Sequence, residues 1–567
     1  MAGAQLADVA GILVEQEGVL TQEQMAAVQR EAVRTGEALL ETVVRLGLLG
    51  EGELLQILSR RLSLPYVVPE GSAVSPEAIA QVPAKWAAYF QVLPVSLEGE
   101  ALVVAVFDPF DYEKLDELRL ALGRPVRLAL AGREAIAKAH KRFYGVGAET
   151  VEGLLAAEGA VSAPVAQADE AQDLSLVDAA AEASVAKYVH QLLLEAVRER
   201  ASDIHLEPFE NSFRIRYRID GFLHETSVPA GIRHFHPVIV SRIKVMANLN
   251  IAEKRLPQDG RINISVGAEP FDLRVSVLPT GFGEAVHVRI LSRSTSFFAL
   301  EELGLTKANQ NTVERLIRMP HGIILLTGPT GSGKTTTLYA FLSRINTAEK
   351  KILTIEDPVE YRIPGVIQMQ VLPEIDFRFS TALRHMLRHD PDVMMVGEVR
   401  DEETAQITIR TALTGHLVFS TVHTNDAAGA VSRLLDMGIE PYLASSSIEG
   451  IIAQRLVRTI CPRCGVPLPG GSVLPGELQE FLSRIGEADV RRGSGCEYCR
   501  FTGYRGRTGI FEVLVVDDEV RELMMNRAPS GAIKQKARSK GMQTLWEDGA
   551  LKVAQGVTTA EELLRVV

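Results

Sequence analysis

The 567-residue sequence contains only four cysteines, and all of them fall between residues 461 and 499. So few cysteines exclude the disulfide framework of a small secreted protein, and their clustering favours a metal site in a reducing compartment. The first basic residue is Arg30, so the charged start of a secretory signal is lacking. No apolar run approaches the roughly 18 residues that a membrane span needs. We therefore expect a cytoplasmic chain without a transmembrane segment.

Positive charge is also in deficit, because the formal net charge is −12 at pH 7. This balance argues against a protein whose main partner is the phosphate backbone of a nucleic acid. Hydrophobic residues make up 46% of the chain and charged residues 23%, which is typical of a globular protein rather than a disordered or fibrous one. One hydrophobic core cannot serve a chain of this length, so we expect three or four domains.

Basic residues are absent between Arg142 and Lys187, where eight acidic residues occur among Ala, Gly, Ser and Val. This composition predicts a flexible acidic linker over residues 146–180, and the alternative is an acidic interaction segment. The linker would separate a small α/β module (residues 1–145) from a second α/β domain (residues 181–300). The module shows no catalytic constellation, so we interpret it as a docking or regulatory module.

What the sequence does contain is a complete phosphate-binding loop, TGPTGSGKTTT at residues 327–337, between an apolar strand pattern and an apolar-periodic helix. Its glycines allow backbone N–H groups to turn toward a phosphate at the helix N-terminus. Lys334 would reach the β- and γ-phosphates, and the Thr335 hydroxyl would ligate Mg²⁺. Residues 301–567 are therefore predicted to form a domain that binds a nucleoside triphosphate. The predicted nucleotide-binding residues of the loop are Gly328, Pro329, Thr330, Gly331, Ser332, Gly333, Lys334, Thr335 and Thr336.

Two carboxylates and a histidine follow later apolar strand patterns. Glu356 and Glu398 each follow such a pattern, and His423 follows a third. Because ligands of open parallel sheets bind at the carboxyl ends of the strands, these residues join Lys334 as candidate catalytic residues. A lone histidine is more often structural than catalytic. His423 is a catalytic candidate only because it is predicted to lie at the same edge of the sheet as the two glutamates. Spacing does not decide which glutamate polarises the attacking water, since Gly397 stands where an aspartate is usual.

A row of arginines marks the predicted strand at residues 213–221. Arg214, Arg216 and Arg218 alternate with apolar residues, so they share one face of the strand. The pattern alone is equally consistent with a solvated charged face, but in a nucleotide-binding protein the row is a candidate for arginine donation to phosphate. Arg274 and Arg289 lie in two later predicted strands of the same domain.

The cysteines form two Cys-x-x-Cys pairs, Cys461 with Cys464 and Cys496 with Cys499, separated by 31 residues. Two such pairs place four thiolates in tetrahedral reach of one Zn²⁺. Because the protein supplies all four ligands, the predicted zinc site is closed and structural rather than catalytic. The zinc-binding insert spans about residues 458–502 and is followed by helices up to the C-terminus.

Together these motifs resemble the secretion ATPases of type II secretion and type IV pilus systems. The insert and the N-terminal module are similar to those of assembly motors rather than retraction motors. Residues 371–383 and 506–518 look closest to the type II secretion ATPase, and the pilus extension ATPase is the near neighbour. The matching stretches are SDIHLEP at 202–208, PQDGR at 257–261, TGPTGSGKTTTLY at 327–339, TIEDPVE at 354–360, MVGEVRD at 395–401, TGHLVFSTVHTN at 414–425 and QRLVR at 454–458.

The resemblance implies an α/β fold in which a PAS-like α/β domain precedes a RecA-like P-loop ATPase core, with the zinc insert and the N-terminal module added. It implies a homo-hexamer that uses ATP, Mg²⁺ and Zn²⁺, with ATP bound between the two motor domains. Glu356 and Glu398 would supply the carboxylates for metal and water, and His423 would sense the γ-phosphate. The arginines implied to clamp phosphate are Arg216, Arg218, Arg274 and Arg289.

The implied function is a motor for protein export. ATP hydrolysis would turn a cytoplasmic stub of an inner-membrane platform protein and push pseudopilin subunits out of the membrane. A second implied partner is the cytoplasmic domain of a bitopic membrane protein, so the cytoplasmic chain would be peripheral at the inner membrane. A pilus extension ATPase is the alternative. A nucleotide-dependent switch is disfavoured by the two glutamates, and a nucleic-acid motor is disfavoured by the acidic balance.

Two departures from the family pattern bear on ligands. Ala285 stands where a basic residue is frequent, so one contact near the phosphates is expected to be missing. Some relatives bind cyclic di-GMP through Arg-Leu-Gly repeats, but the corresponding stretches here read QLA at residues 5–7 and ALL at residues 38–40. We therefore do not expect cyclic di-GMP to bind.

Overall fold

The computed structural model describes residues 8–69, 73–152, 170–229, 231–267, 269–292, 299–469, 474–486 and 488–567. The chain divides into two compact units, Met1–Ser292 and Arg293–Val567. In these described ranges, no helix combines the length and the apolar character that crossing a membrane requires.

The first unit begins with helices packed around a small sheet of strand order β1-β2-β3. The first long helix starts as its sequence predicts: the Gln24 N–H donates to Thr21 Oγ1 (3.2 Å) and the Thr21 N–H donates to Gln24 Oε1 (2.8 Å). The strands are β1 (Leu93–Glu98), β2 (Ala101–Val106) and β3 (Val126–Leu130). The helices are Gly11–Gln16 (a π-helix), Gln22–Thr35, Leu39–Arg45, Glu51–Leu62, Pro76–Ile79, Ala84–Phe90, Tyr112–Leu122 and Arg133–Tyr144.

An antiparallel sheet of order β6-β5-β4-β9-β8-β7 forms the rest of the first unit. Its apolar side chains, such as Ile204, Tyr217 and Val288, are buried in one core with residues of two helices. Alternation along the strands leaves polar residues on the other face of the sheet. The strands are β4 (Asp203–Pro208), β5 (Phe213–Ile219), β6 (Phe222–Thr226), β7 (Gln258–Val266), β8 (Glu269–Thr280) and β9 (Gly283–Ser292), and the helices are Glu170–Arg198, Ile232–Phe235 (a 3₁₀-helix) and His236–Met246.

About half of the acidic linker predicted over residues 146–180, namely residues 153–169, lies outside the described residues. Before them, Val146, Ala148 and Val151 are buried, and after them a helix runs over Glu170–Arg198. Composition did not reveal these structured ends, because they are fixed by residues distant in the sequence: Val151 packs in the core of the six-stranded sheet, and the Val146 N–H donates to the Ser227 carbonyl oxygen (3.2 Å). The domain boundaries near residues 145, 180 and 300 stay predictions.

The second unit is built on a sheet of order β12-β11-β13-β14-β10-β15-β18. Neighbouring strands are parallel except for β18, which runs antiparallel to β15. Helices cover both faces of such a sheet, so its central strands are continuous apolar runs. The predicted α/β class is therefore confirmed. The strands are β10 (Gly322–Thr327), β11 (Ile352–Glu356), β12 (Ile367–Gln370), β13 (Val393–Val396), β14 (Leu417–Val422), β15 (Ile448–Ile460) and β18 (Tyr504–Val515).

Between β15 and β18 the chain forms a small insert with the paired strands β16 (Gly465–Pro467) and β17 (Arg491–Gly493). Helices after β18 pack back onto the sheet, where the Phe511 N–H donates to the buried Asp548 Oδ2 (2.8 Å). The helices of the unit are Leu300–Leu303 (3₁₀), Lys307–Leu316, Lys334–Ile345, Pro373–Ile375 (3₁₀), Phe379–Met386, Leu387–His389 (3₁₀), Glu402–Leu413, Ala427–Asp436, Pro441–Ser447, Gly476–Ile485, Glu497–Cys499 (3₁₀), Asp518–Met525, Ser530–Ser539, Leu545–Ala554 and Ala560–Val566.

Candidate nucleotide-binding site

The predicted phosphate-binding loop joins the buried strand β10 to the helix Lys334–Ile345. Gly328, Gly331 and Gly333 have φ angles of +152°, +78° and +88°, a region that side chains disfavour. A Cβ atom on Gly328 would also lie 2.5 Å from the Gln454 carbonyl oxygen. These conformations turn the loop around the helix N-terminus, where backbone N–H groups attract anions.

Lys334 bends back over the loop. Its Nζ donates to the carbonyl oxygens of Gly328 (2.7 Å) and Pro329 (3.1 Å). The pKa of Lys334 is lowered to about 8, chiefly by burial, with the Glu398 charge opposing the fall and the Arg455 charge adding to it. A desolvated ammonium held by neutral carbonyls can pass to a phosphate oxygen at little cost.

Of the remaining loop residues, Thr330 and Thr335 are exposed and Thr336 is half-buried. The Ser332 hydroxyl is buried and has no hydrogen-bond partner among the described residues. The loop therefore carries hydroxyls that are accessible and one that is buried without a partner.

Glu398 and His423 meet at the carboxyl ends of β13 and β14. The His423 Nε2 lies 3.6 Å from Glu398 Oε2, and the Arg400 guanidinium pairs with the other Glu398 oxygen. Arg400 also lies 3.7 Å from Asp357 Oδ2. Because β14 pairs with both β13 and β10, this cluster lies at the same edge as the loop.

A cavity of about 200 Å³ connects the histidine to the loop, with Gly328, Pro329, His423, Thr424 and Asn425 as its lining. The Thr424 N–H donates to Thr327 Oγ1 (2.8 Å), which fixes the end of β14 to the end of β10. The cavity therefore places His423 beside the phosphate-binding loop.

Glu356 occupies a different environment, although it ends the neighbouring strand β11. The residue is 3% exposed, and its carboxylate accepts hydrogen bonds from Thr354 Oγ1 (2.6 Å), Gln368 Nε2 (3.1 Å) and the Tyr339 hydroxyl. Burial raises the pKa of Glu356, and the three hydrogen bonds oppose that rise. Its acceptor capacity is thus used within the second unit.

Two cations at this edge were not singled out from the sequence. Arg400 pairs with Glu398, and Arg455 donates to the Asn425 carbonyl oxygen (3.0 Å) at the rim of the cavity. Both lie in stretches that carry the family resemblance, MVGEVRD and QRLVR. The sequence motifs therefore contained these arginines but did not indicate a function for either of them.

Three of the four arginines predicted to clamp phosphate form ion pairs with carboxylates of strand β4. Arg216 forms a bidentate pair with Glu207 (2.7 and 2.6 Å). Arg218 lies 3.7 Å from Asp203 Oδ2, and Arg289 donates to Asp203 Oδ1 (3.2 Å). Asp203 collects these donors together with His287 and Ser202, so its pKa lies well below the usual range although burial acts in the opposite direction.

Arg274 lies opposite Arg289 in the pairing of β8 with β9. Both side chains line a cavity of about 400 Å³ together with Arg261 and His287. A cavity lined by several guanidinium groups is suited to an anionic ligand.

The four cysteines converge at the base of the insert. Their Sγ atoms lie within 4.8 Å of one another, with 3.8 Å between Cys461 and Cys496 and 3.7 Å between Cys464 and Cys499. Four sulfurs bound to a tetrahedral Zn²⁺ at about 2.3 Å lie about 3.8 Å apart. The Gly503 N–H also points at Cys499 Sγ (3.3 Å). The thiolate set fits a tetrahedral metal ion.

Comparison with known proteins agrees with this geometry. The family model described as "Type II/IV secretion system protein" matches residues 178–565, and the model described as "MshEN domain" matches residues 62–150. The type II secretion system protein E of Xanthomonas campestris is 44% identical over 541 residues, covering 94% of this chain and 93% of that protein. The type IV pilus assembly ATPase PilB of Myxococcus xanthus is 39% identical over 563 residues, covering 98% of each chain.

Among solved structures, the Legionella pneumophila ATPase DotB aligns with a TM-score of 0.50 at 21% identity, covering 67% of this chain and 94% of that chain. This likeness confirms the predicted RecA-like fold of the core. The family match spans more than half of the chain and agrees with the family predicted from the motifs. The chain therefore belongs to the type II/IV secretion system protein family and is an ATPase of that family.

Proposed function

We propose that this ATPase is the motor of a type II secretion system, in which ATP hydrolysis drives pseudopilus assembly and protein export. The observation that carries hydrolysis is the convergence of Lys334, Glu398 and His423 at the ends of three adjacent parallel strands. The secretion role is supported by the relatives named type II secretion system protein E, one of which matches over nearly its full length.

In this proposal the loop and Lys334 bind the phosphate chain, and Thr335 holds Mg²⁺, which would neutralise charge on the phosphates. Glu398 orients the attacking water and accepts its proton, and His423 reports the γ-phosphate to Glu398 across 3.6 Å. Glu356 is assigned a positioning role, because its carboxylate already accepts three hydrogen bonds and burial favours its protonated form.

Phosphate clamping by Arg216, Arg218, Arg274 and Arg289 would involve an exchange of partners. Arg216 would leave Glu207, and Arg218 and Arg289 would leave Asp203. Such an exchange replaces one carboxylate–guanidinium pair by a phosphate–guanidinium pair of similar strength. The exchange leaves Glu207 and the buried Asp203 without these partners, so the phosphate contacts would have to offset that cost.

The four cysteines would hold one structural Zn²⁺, which would fix the insert to the ends of β15 and β18. The working assembly would be a homo-hexamer. It would act in the cytoplasm, at the inner membrane, through a platform protein and the cytoplasmic domain of a bitopic membrane protein.

A second candidate is the type IV pilus extension ATPase, because relatives named PilB match at 39% and 44% identity. The test is ATP turnover of the purified protein, with native mass measured in parallel. Stimulation of a hexamer by cytoplasmic fragments of type II secretion membrane proteins would support the proposal. Stimulation only by pilus platform fragments would favour the pilus extension ATPase. Tight ATP binding without turnover would indicate a nucleotide-dependent switch instead of a motor.

A further inference from the structure

Arg455 follows Gln454 near the middle of β15 and points at the phosphate-binding loop. Its Nη2 donates to the Asn425 carbonyl oxygen (3.0 Å) and its Nη1 to the Gln454 carbonyl oxygen (3.2 Å). Within the part of the chain that the structure describes, the half-buried Arg455 forms no ion pair with a carboxylate. Its Nη2 also lies 3.4 Å from the Asn425 side-chain oxygen, so all of these hydrogen bonds go to neutral oxygen atoms.

The Ser332 hydroxyl, close to Gly328 and Arg455, is a further hydrogen-bond donor near the phosphate-binding loop. A Cβ atom placed on Gly328 would lie 3.2 Å from Arg455 Nη1 and 2.6 Å from Ser332 Oγ. Ser332 is 4% exposed, and its hydroxyl has no hydrogen-bond partner among the described residues. The guanidinium and the buried hydroxyl therefore both lie close to the position that a Gly328 Cβ atom would occupy.

The electrostatics also favour an anion here. Burial lowers the pKa of Arg455, and the Arg455 charge contributes to the lowered pKa of Lys334. Asp426 and Glu512 act favourably on Arg455, but both already pair with Lys534, at 3.0 and 3.4 Å. Two cations that repel each other beside a partly desolvated loop are stabilised when a negative ligand binds between them.

We propose that Arg455 is a nucleotide-binding residue that donates to an anionic oxygen of the bound phosphate chain, with the Ser332 hydroxyl as a second donor. The inference rests on the proposed nucleotide site: it adds Arg455 to that site, and it gives Ser332, which the loop motif already placed there, a specific contact. Charge-assisted hydrogen bonds from guanidinium to phosphate are among the stronger polar contacts in proteins.

The test separates charge from local structure. Affinity for a fluorescent ATP analogue, and its displacement by inorganic tripolyphosphate, are measured for wild type, Arg455→Lys and Arg455→Gln. We expect Arg455→Gln to lose at least tenfold in affinity for both ligands and Arg455→Lys to lose less than Arg455→Gln. The exposed Arg433→Gln on the helix Ala427–Asp436 is the matched control and should bind as wild type does.

A purely structural role predicts that Arg455→Lys loses at least as much affinity as Arg455→Gln, since both side chains can donate to the Asn425 carbonyl oxygen and the positive charge would bring no advantage. That order, or wild-type affinity in both variants, would overturn the inference. Ser332→Ala should weaken binding two- to tenfold, and unchanged affinity would remove the second donor from the proposal.

A measurement on the wild-type chain keeps the inference testable if a variant does not fold. Modification of Arg455 by phenylglyoxal, followed by mass spectrometry, should be slowed severalfold by ATP and by tripolyphosphate but not by adenosine. Absence of protection counts against the contact. If wild type itself binds no ATP, the proposed function fails; if wild type binds and only the Arg455 predictions fail, the inference alone is lost.

Discussion

The imidazole Nε2 of His423 lies 3.6 Å from the carboxylate Oε2 of Glu398, at the ends of two paired parallel strands. The carboxylate charge also acts on Lys334 across the same edge. A group that contacts the γ-phosphate and one that activates water need this proximity, because hydrolysis must follow correct binding. In the proposed mechanism, the pair would therefore link nucleotide recognition directly to hydrolysis.

Glu398→Gln should lower kcat for ATP hydrolysis by about 10²- to 10⁴-fold, the usual contribution of a positioned general base. Glutamine keeps the shape and cannot accept a proton, so affinity for ATP should stay within a few-fold of wild type. Steady-state turnover and equilibrium ATP binding measure the two effects.

The exposed Glu374→Gln is the control for removal of one negative charge. Turnover by Glu398→Gln at the wild-type rate, in a preparation where Glu374→Gln is also active, would remove Glu398 from the mechanism.

Glu356→Ala should act mainly on stability. It removes the acceptor of Thr354, Gln368 and Tyr339 hydrogen bonds, and buried donors left without partners cost about 1–3 kcal/mol each. The midpoint of urea unfolding should fall, while Glu356→Gln should retain much of the wild-type kcat. A loss of turnover by Glu356→Gln as large as that of Glu398→Gln would instead assign water activation to Glu356.

Features set by local sequence were predictable. Three examples are the glycines of the phosphate-binding loop, the capping box at Thr21 and the two cysteine pairs. Each depends on a few adjacent residues, so the spacing of those residues alone predicts it. The parallel sheet was likewise predictable, since strands covered on both faces are uninterrupted apolar runs.

Contacts between distant elements were not predictable. The arginine row on β5 was consistent with a solvated charged face or with donation to phosphate, but Arg216 and Arg218 pair with Glu207 and Asp203 on β4, which only the strand register reveals. Glu356 and Glu398 were equivalent in the sequence, and they differ because Tyr339 and Gln368, from other elements, surround only the first.

The cysteine cluster should bind one zinc ion per chain, measurable by atomic emission spectroscopy. Cys464→Ser should lose the metal, because the remaining thiolates no longer close a tetrahedral site. The insert should then become sensitive to proteolysis while ATP binding by the loop persists. Ser483→Ala, a change on a helix of the same insert, should keep the zinc. A metal-free wild-type chain with an equally protease-resistant insert would contradict the assignment.

Asp108 in the N-terminal module predicts a pH-dependent stability. Burial raises the pKa of Asp108 to about 6, with Asp111 and Glu41 adding to the rise and the Phe110 N–H and Lys114 opposing it. The folded module therefore binds a proton more tightly than the unfolded chain, in which an aspartate titrates near pH 4. The contribution of Asp108 to the stability of the module should be highest below about pH 4 and should fall by on the order of 1–3 kcal/mol as the pH rises through about 6.

Asp108→Asn removes the titrating group but keeps an oxygen that can accept from the Phe110 N–H, a bond of 2.9 Å. The variant should lack this loss of stability and exceed the wild type at pH 7. Fluorescence of Trp86 during urea unfolding, in a Trp546→Phe background, reports the module separately because the chain has two tryptophans. Equal slopes of stability against pH in both proteins between pH 4 and 6 would show that Asp108 is solvated, since only a desolvated carboxyl holds its proton in that range.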